Sequence, residues 1–115
     1  YVIGDVKGKT CIMVDDILNT GATLAKAAKF LKDAGAKEVY ACASHALLSP
    51  PAKELIENSE IKTLCVTDSC LTAEERHPSN MEYISCGELM GDAVKVIHEN
   101  KPMSPLFKLE EKCFD

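Results

Sequence analysis

An open α/β fold, with a mostly parallel sheet and flanking helices, is predicted by three features of the 115-residue sequence. Short apolar runs recur at residues 11–14, 39–43 and 61–66. They are continuous rather than alternating, the pattern of strands covered on both faces in a parallel sheet. Between them lie stretches with apolar residues at three-to-four spacing, the period of a helix with one inward face. Glycine, proline and Asx residues separate the two kinds of segment. Strands alternating with helices close into such a sheet through right-handed crossovers.

The elements follow in order. Residues 5–10 form a polar turn, and Cys11-Ile12-Met13-Val14 is the first strand, ended by Asp15 and Asp16. Asn19, Thr20 and Gly21 are loop residues. A helix is predicted over 22–34, with Leu24, Ala27, Ala28 and Leu31 inward and Lys26, Lys29 and Lys32 on the wet side. Gly35 stops it in the usual position for a glycine. The second strand is 39–43, and Pro50-Pro51 opens a short helix over 52–57 because proline suits a first turn. Residues 61–66 are the third strand, 68–80 a polar loop and 83–85 a small fourth strand. A last helix over 89–98 turns Leu89, Ala93, Val96 and Ile97 inward, and an irregular tail with Pro102 and Pro105 follows. In an open parallel sheet, ligands sit beyond the carboxyl ends of the strands. The segment 15–23 lies at one of those ends.

Composition narrows the function. One domain of this length buries a core without staples. A formal net charge of -5 excludes a broad nucleic-acid-binding face, which needs basic residues. It leaves phosphate ligands open, because backbone amides alone can hold one. No apolar run approaches the roughly 20 residues of a membrane span. The six cysteines show no CxxC spacing, and Cys11, Cys42 and Cys65 lie in apolar runs, so reduced thiols in a cytoplasmic protein are expected rather than zinc or a disulfide framework. The chain begins at Tyr1 rather than Met, so a piece of a longer protein is expected.

The stretch Val14-Asp15-Asp16-Ile17-Leu18-Asn19-Thr20-Gly21-Ala22-Thr23 carries the chemistry. It joins a strand to a helix whose first amides have no partner inside the helix and whose dipole makes that end electropositive. Thr20 and Thr23 add hydroxyl donors, and Gly21 lets the backbone turn tightly beside a ligand. This is a cradle for a phosphate dianion. The acids just upstream fit if they accept hydrogen bonds from sugar hydroxyls. A phosphate at one end and a vicinal diol nearby describe ribose 5-phosphate. The plainer alternative is a turn in which Asp16 and Thr20 only cap the helix. Acid-acid-x-x-x-Thr-Gly-x-Thr after an apolar strand is more specific than that alternative requires.

This stretch resembles the phosphoribosyl diphosphate motif of type I phosphoribosyltransferases and of ribose-phosphate pyrophosphokinases. The second family is also resembled by Gly4-Asp5-Val6-Lys7-Gly8-Lys9, by Gly35-Ala36-Lys37-Glu38-Val39, and by Ser44-His45 with Ser49 and Ala52. Val66-Thr67-Asp68-Ser69, Ile97-His98 and Ser104-Pro105-Leu106-Phe107 extend the likeness to Phe107. The resemblance implies a type I phosphoribosyltransferase-like fold in a C-terminal domain over 1–107, with 108–115 as an extension. It implies transfer of diphosphate from ATP to the C1 hydroxyl of ribose 5-phosphate, with magnesium as cofactor. Asp15 would bind ribose hydroxyls, and Asp16 would support it or a magnesium-bound water. Asn19, Thr20, Gly21, Ala22 and Thr23 would hold the 5-phosphate. No protein metal ligand and no catalytic residue fall in this segment, because the family's mobile loop with Lys and Arg precedes it. ATP would be bound chiefly by an N-terminal half that also makes homo-oligomer contacts, so the chain alone is expected to be inactive.

The sequence departs from the family pattern at Asn19, where most relatives carry Asp, at Ala22, where most carry Gly, and at Ala46 and Pro50, where they often carry Gly. Pro102 replaces one of two tail serines thought to help hold a regulatory phosphate. Two rival readings are a phosphoribosyltransferase, which would need a hood over a base, and a non-catalytic regulatory subunit, which would usually have a disrupted motif. His45 follows a strand and is either a conformational residue near the site or a hydrogen-bonded loop histidine. Asp68 and Ser69 are candidates for lining the cleft. His77 and His98 are predicted to be solvated, without a role.

Overall fold

The computed structural model describes residues 4–107. They fall into two compact units that divide between Ile84 and Ser85. The first holds strands β1 (Thr10–Leu18), β2 (Glu38–Ala46), β3 (Ile61–Thr67) and β4 (Met81–Ile84), with helices α1 (Ala22–Asp33) and α2 (Ala52–Glu57). All pairings are parallel and the strand order is β1-β2-β3-β4. Four parallel strands with crossover helices are the α/β fold expected. A 3₁₀ turn, Glu74–Arg76, interrupts the polar connection from β3 to β4. The second unit holds α3 (Gly87–His98) and a 3₁₀ turn, Ser104–Phe107. The predicted extension, 108–115, lies outside the described residues.

One sheet face meets α1 and α2. Val39, Ala41 and Ala43 of β2, Ile61, Leu64 and Val66 of β3, Leu24 and Ala28 of α1, and Ala52 and Ile56 of α2 are all buried there. Cys11, Met13, Leu31 and Met81 pack at the margin. The predicted inward side of α1 is therefore real for Leu24, Ala28 and Leu31. Its lysines lie outside the core. Lys29 pairs with Asp33 at 3.2 Å, and Lys32 Nζ donates to the Lys37 carbonyl at 3.0 Å.

Gly35 terminates α1 as expected. At φ +93° it lies in the left-handed region, and its N–H donates to the Lys32 carbonyl while Ala36 N–H donates to Leu31. Those two bonds satisfy carbonyls the helix cannot reach itself. The next turn of chain locks on here too, with Gly8 N–H donating to the Gly35 carbonyl at 2.8 Å.

Three expectations need correction. β1 is not buried on both faces: it is an edge strand, with Ile12 67% and Val14 81% exposed. Asp15 and Asp16 do not end it, because pairing with β2 carries the strand on to Leu18. Backbone pairing outweighs the weak strand propensity of aspartate. On α3, Ala93 and Val96 are half-buried, but Leu89 and Ile97 are 51% and 64% exposed.

Cys11, Cys42, Cys65 and Cys70 carry free thiols. Cys42 and Cys65 are register partners on neighbouring strands. Burial, foremost, and the adjacent Cys42 push the Cys65 thiol above its ordinary value. Among the described residues, no helix is long and apolar enough to cross a membrane.

Candidate functional site

The carboxyl end of β1 delivers the chain to a cleft of about 130 Å³, lined by Asp15 and residues 17–24. Its shape comes from three constraints. The first is Gly21. It stands just before α1 at φ +74° and is buried. A Cβ there would come within 2.9 Å of Ile56 Cδ1 on α2. Only glycine meets both conditions without strain.

The second is the segment after β2. Leu47 N–H donates to the Leu18 carbonyl at 2.8 Å, and Ser49 N–H donates to the Asn19 carbonyl at 3.0 Å. The loop is thus tied at its entry to the neighbouring connection. Leu48, between the two donors, takes φ +48° yet is 1% exposed, so burial of its side chain offsets an unfavourable backbone.

The third is the start of α1. No side chain caps it, and no acidic residue occupies its first turn. The first helical bond at this end is Ala25 N–H to the Gly21 carbonyl, at 2.9 Å. The amides of Ala22, Thr23 and Leu24 precede that bond. The capping role once open to Asp16 and Thr20 is therefore not what the structure shows. An uncapped N-terminus that opens on a cleft suits an anion, through its amides and its dipole.

Strand geometry separates the two acids. Successive side chains of a strand point to opposite faces. Asp15 is half-buried, shares a face with its buried register partner Ala43, and lies on the cleft wall. Asp16 is exposed and is not on that wall. Each carboxylate accepts the next amide: Asp16 N–H donates to Asp15 Oδ1 at 2.9 Å, and Ile17 N–H donates to Asp16 Oδ1 at 2.8 Å. The Ile17 amide is the largest cause holding the Asp16 carboxyl below its ordinary value of 3.8, followed by the Asp15 side chain, with His45 adding a smaller attraction. The structure thus brings Asp15, Asn19, Thr20, Gly21, Ala22 and Thr23 to one cleft and leaves Asp16 beside it.

A matching family model, described as the phosphoribosyl synthetase-associated domain, covers residues 1–108. The chain belongs to this family. Ribose-phosphate pyrophosphokinase 2 of Enterococcus faecalis is 50% identical over 111 residues, which cover 96% of this chain and 34% of that protein. A second protein of that organism is 62% identical over 112 residues, covering 97% of this chain and 35% of its own length. The crystal structure of phosphoribosylpyrophosphate synthetase from Mycobacterium smegmatis superposes with a TM-score of 0.83 at 35% identity, covering 85% of this chain and 33% of that one. The chain therefore spans about a third of the length of the relatives it matches.

Two partnerships escaped the sequence. The hydrogen-bonded alternative for His45 is what the structure shows, from within β2 rather than from a loop: its Nδ1 lies 2.8 Å from Ser69 Oγ. His77 is not simply solvated. It is half-buried, with Nε2 3.0 Å from both Thr72 Oγ1 and the Tyr83 hydroxyl. Neither link has a sequence signal, because each joins residues brought together only by the sheet or a long loop. His98 is exposed, as expected.

Proposed function

We propose that this cleft binds ribose 5-phosphate, and that the protein carrying the chain is a ribose-phosphate diphosphokinase, making phosphoribosyl diphosphate and AMP from ribose 5-phosphate and ATP. The observation that carries the reading is the uncapped start of α1, with Gly21 in the left-handed region and Asp15 on the same cleft wall. The amides of residues 22–24 and the hydroxyls of Thr20 and Thr23 meet the phosphate. Asp15 accepts hydrogen bonds from the ribose hydroxyls, and Asp16 supports it from the opposite face of β1. Asn19 keeps a hydrogen-bonding side chain without adding a negative charge beside the dianion.

Diphosphoryl transfer depends mainly on positioning and charge stabilisation. This segment's part is to hold the acceptor sugar so that its C1 hydroxyl meets the nucleotide. It supplies no group that moves a proton. Magnesium fits as an ion carried by substrate phosphates with one or two carboxylates nearby. Among the described residues, no cluster of three or more His, Cys, Asp or Glu could hold an ion by itself. When bound, magnesium would neutralise the phosphate charge. The ATP site and the reactive Lys and Arg belong to another part of the protein, in a cytoplasmic homo-oligomer.

Calorimetric titration of the full-length protein with ribose 5-phosphate tests the reading. Saturable binding is expected, weakened about tenfold by Asp15→Asn and by Thr20→Val, the loss of roughly one hydrogen bond to a charged group. AMP release from ATP should require ribose 5-phosphate. Unchanged affinity in both variants would remove the cleft from the reaction.

A further inference from the structure

Away from the cleft, the sheet carries a pair of thiols that sugar-phosphate binding does not use. Along β2, Val39, Ala41 and Ala43 are buried in the core, while Tyr40 and Cys42 are half-buried. Along β3, Leu64 and Val66 are buried in the core, while Thr63 and Cys65 are half-buried. The alternation is unbroken over both stretches. Cys42 and Cys65 therefore stand on one sheet face, the one opposite the core.

They stand side by side on that face. Residues 40–43 pair with residues 63–66 in one continuous parallel register, which matches Cys42 with Cys65. Neighbouring strands lie about 4.7–4.9 Å apart, inside the Cα separation of roughly 4.4–6.8 Å that a disulfide spans. The two thiols are also within hydrogen-bonding reach of each other. Cys11 has Val39 as its register partner, and Cys70 lies beyond the end of β3, so neither shares such a pairing. The row that holds the pair is open at both ends. Val14, beside Cys42, is 81% exposed, and Glu82, beside Cys65, is exposed too.

We propose that Cys42 and Cys65 form a redox-active dithiol that closes reversibly to a cross-strand disulfide by exchange with a low-molecular-weight disulfide such as oxidised glutathione. Burial first, and then the charge of Cys42, keep Cys65 protonated, so Cys42 opens the exchange. Its thiolate attacks one sulfur of the glutathione disulfide, and the other leaves as a thiolate that takes up a proton. The mixed disulfide at Cys42 carries no charge on its sulfur, which removes the repulsion that opposed ionisation of Cys65. Cys65 then gives up its proton and attacks the Cys42 sulfur, expelling the second glutathione thiolate. Two protein thiols are oxidised to one disulfide, and one glutathione disulfide is reduced to two thiols.

The test uses the native full-length protein in a series of glutathione buffers of rising oxidised-to-reduced ratio. Samples are quenched in acid, remaining thiols are alkylated, and peptides are mapped without reduction. A Cys42–Cys65 peptide pair, lighter by two hydrogens, should pass from absent to dominant within the series and disappear with dithiothreitol. Cys65→Ser, which keeps the attacking sulfur and removes the resolving one, should retain glutathione on Cys42 where the wild type retains little. The wild-type map decides the matter even where a variant folds poorly. Glutathione adducts on the wild type that never resolve to the bridge would show that the two sulfurs cannot meet. A bridge that forms only in urea would show that the native face is closed to exchange. Either result, or thiols that stay reduced across the whole series, overturns the proposal.

Discussion

Replacing Gly21 by alanine tests the architecture of the cleft, because two separate penalties meet at one atom. The backbone there has φ +74°, and a non-glycine residue in that region costs roughly 1–2 kcal/mol. The new Cβ would lie 2.9 Å from Ile56 Cδ1 and 3.1 Å from Cγ1, with Ile56 itself 0% exposed. Overfilling a packed site costs about 1–3 kcal/mol. Together the penalties predict a loss of roughly 2–5 kcal/mol, read from urea unfolding with m unchanged. Ile56→Val separates them, because it removes the closest atom. In the wild type this change should cost about 0.5–1.5 kcal/mol. Beside Gly21→Ala it should cost less or recover stability, leaving a coupling of about 0.5–2 kcal/mol between adjacent sites. The left-handed penalty would remain in the double variant. A Gly21→Ala protein within about 0.5 kcal/mol of wild type would refute the strain argument. Equal Ile56→Val effects in the two backgrounds would refute the steric half alone.

Three further outcomes are expected. Gly35→Ala should destabilise by about 1–2 kcal/mol in the same unfolding assay, since φ +93° is strained for alanine and the Cβ would meet Lys7 Cγ at 3.3 Å. Asp16 titrates below its ordinary 3.8 when folded, so its contribution to stability is present above that value and lost as pH falls through the lower folded one. Wild type should then exceed Asp16→Asn in stability near neutral pH and converge with it in acid, measured by denaturation across pH. Burial, with Cys42 alongside, raises the Cys65 thiol, so iodoacetamide should label Cys65 in the folded protein far more slowly near neutral pH than in the urea-unfolded chain, as read by peptide mass mapping.

The sequence discloses local rules better than it discloses neighbours. α2 begins and ends where its proline start and polar end suggest, and α1 falls within one residue of expectation because Gly35 is an unambiguous stop. Periodicity found Leu24 and Ala28. It could not say that β1 would lie at an edge, because Cys11-Ile12-Met13-Val14 reads the same whether its outer face is covered or bare. Nor did propensity show that β1 would continue through two aspartates and β2 through Ser44 and His45. Those residues are in strands because a partner strand lies alongside them.

That extension of β1 changes what the acidic pair can do. Had the strand ended before Asp15, both carboxylates could have turned toward one ligand from a flexible loop. Held in an extended strand, the two side chains leave the backbone on opposite faces, and Asp15, not Asp16, lines the cleft. The proposed division of labour between a binding acid and a supporting one would therefore follow from backbone pairing with β2. It needs no difference in side-chain chemistry. The same pairing places His45 beside Ile17 and ties Leu47 and Ser49 to the loop carbonyls. One parallel register thus places the acids, the histidine and the entry to the cleft together. A shift of that register by one residue would turn Asp16 inward and Asp15 out, so stability of the β1–β2 pairing and geometry of the site are one property.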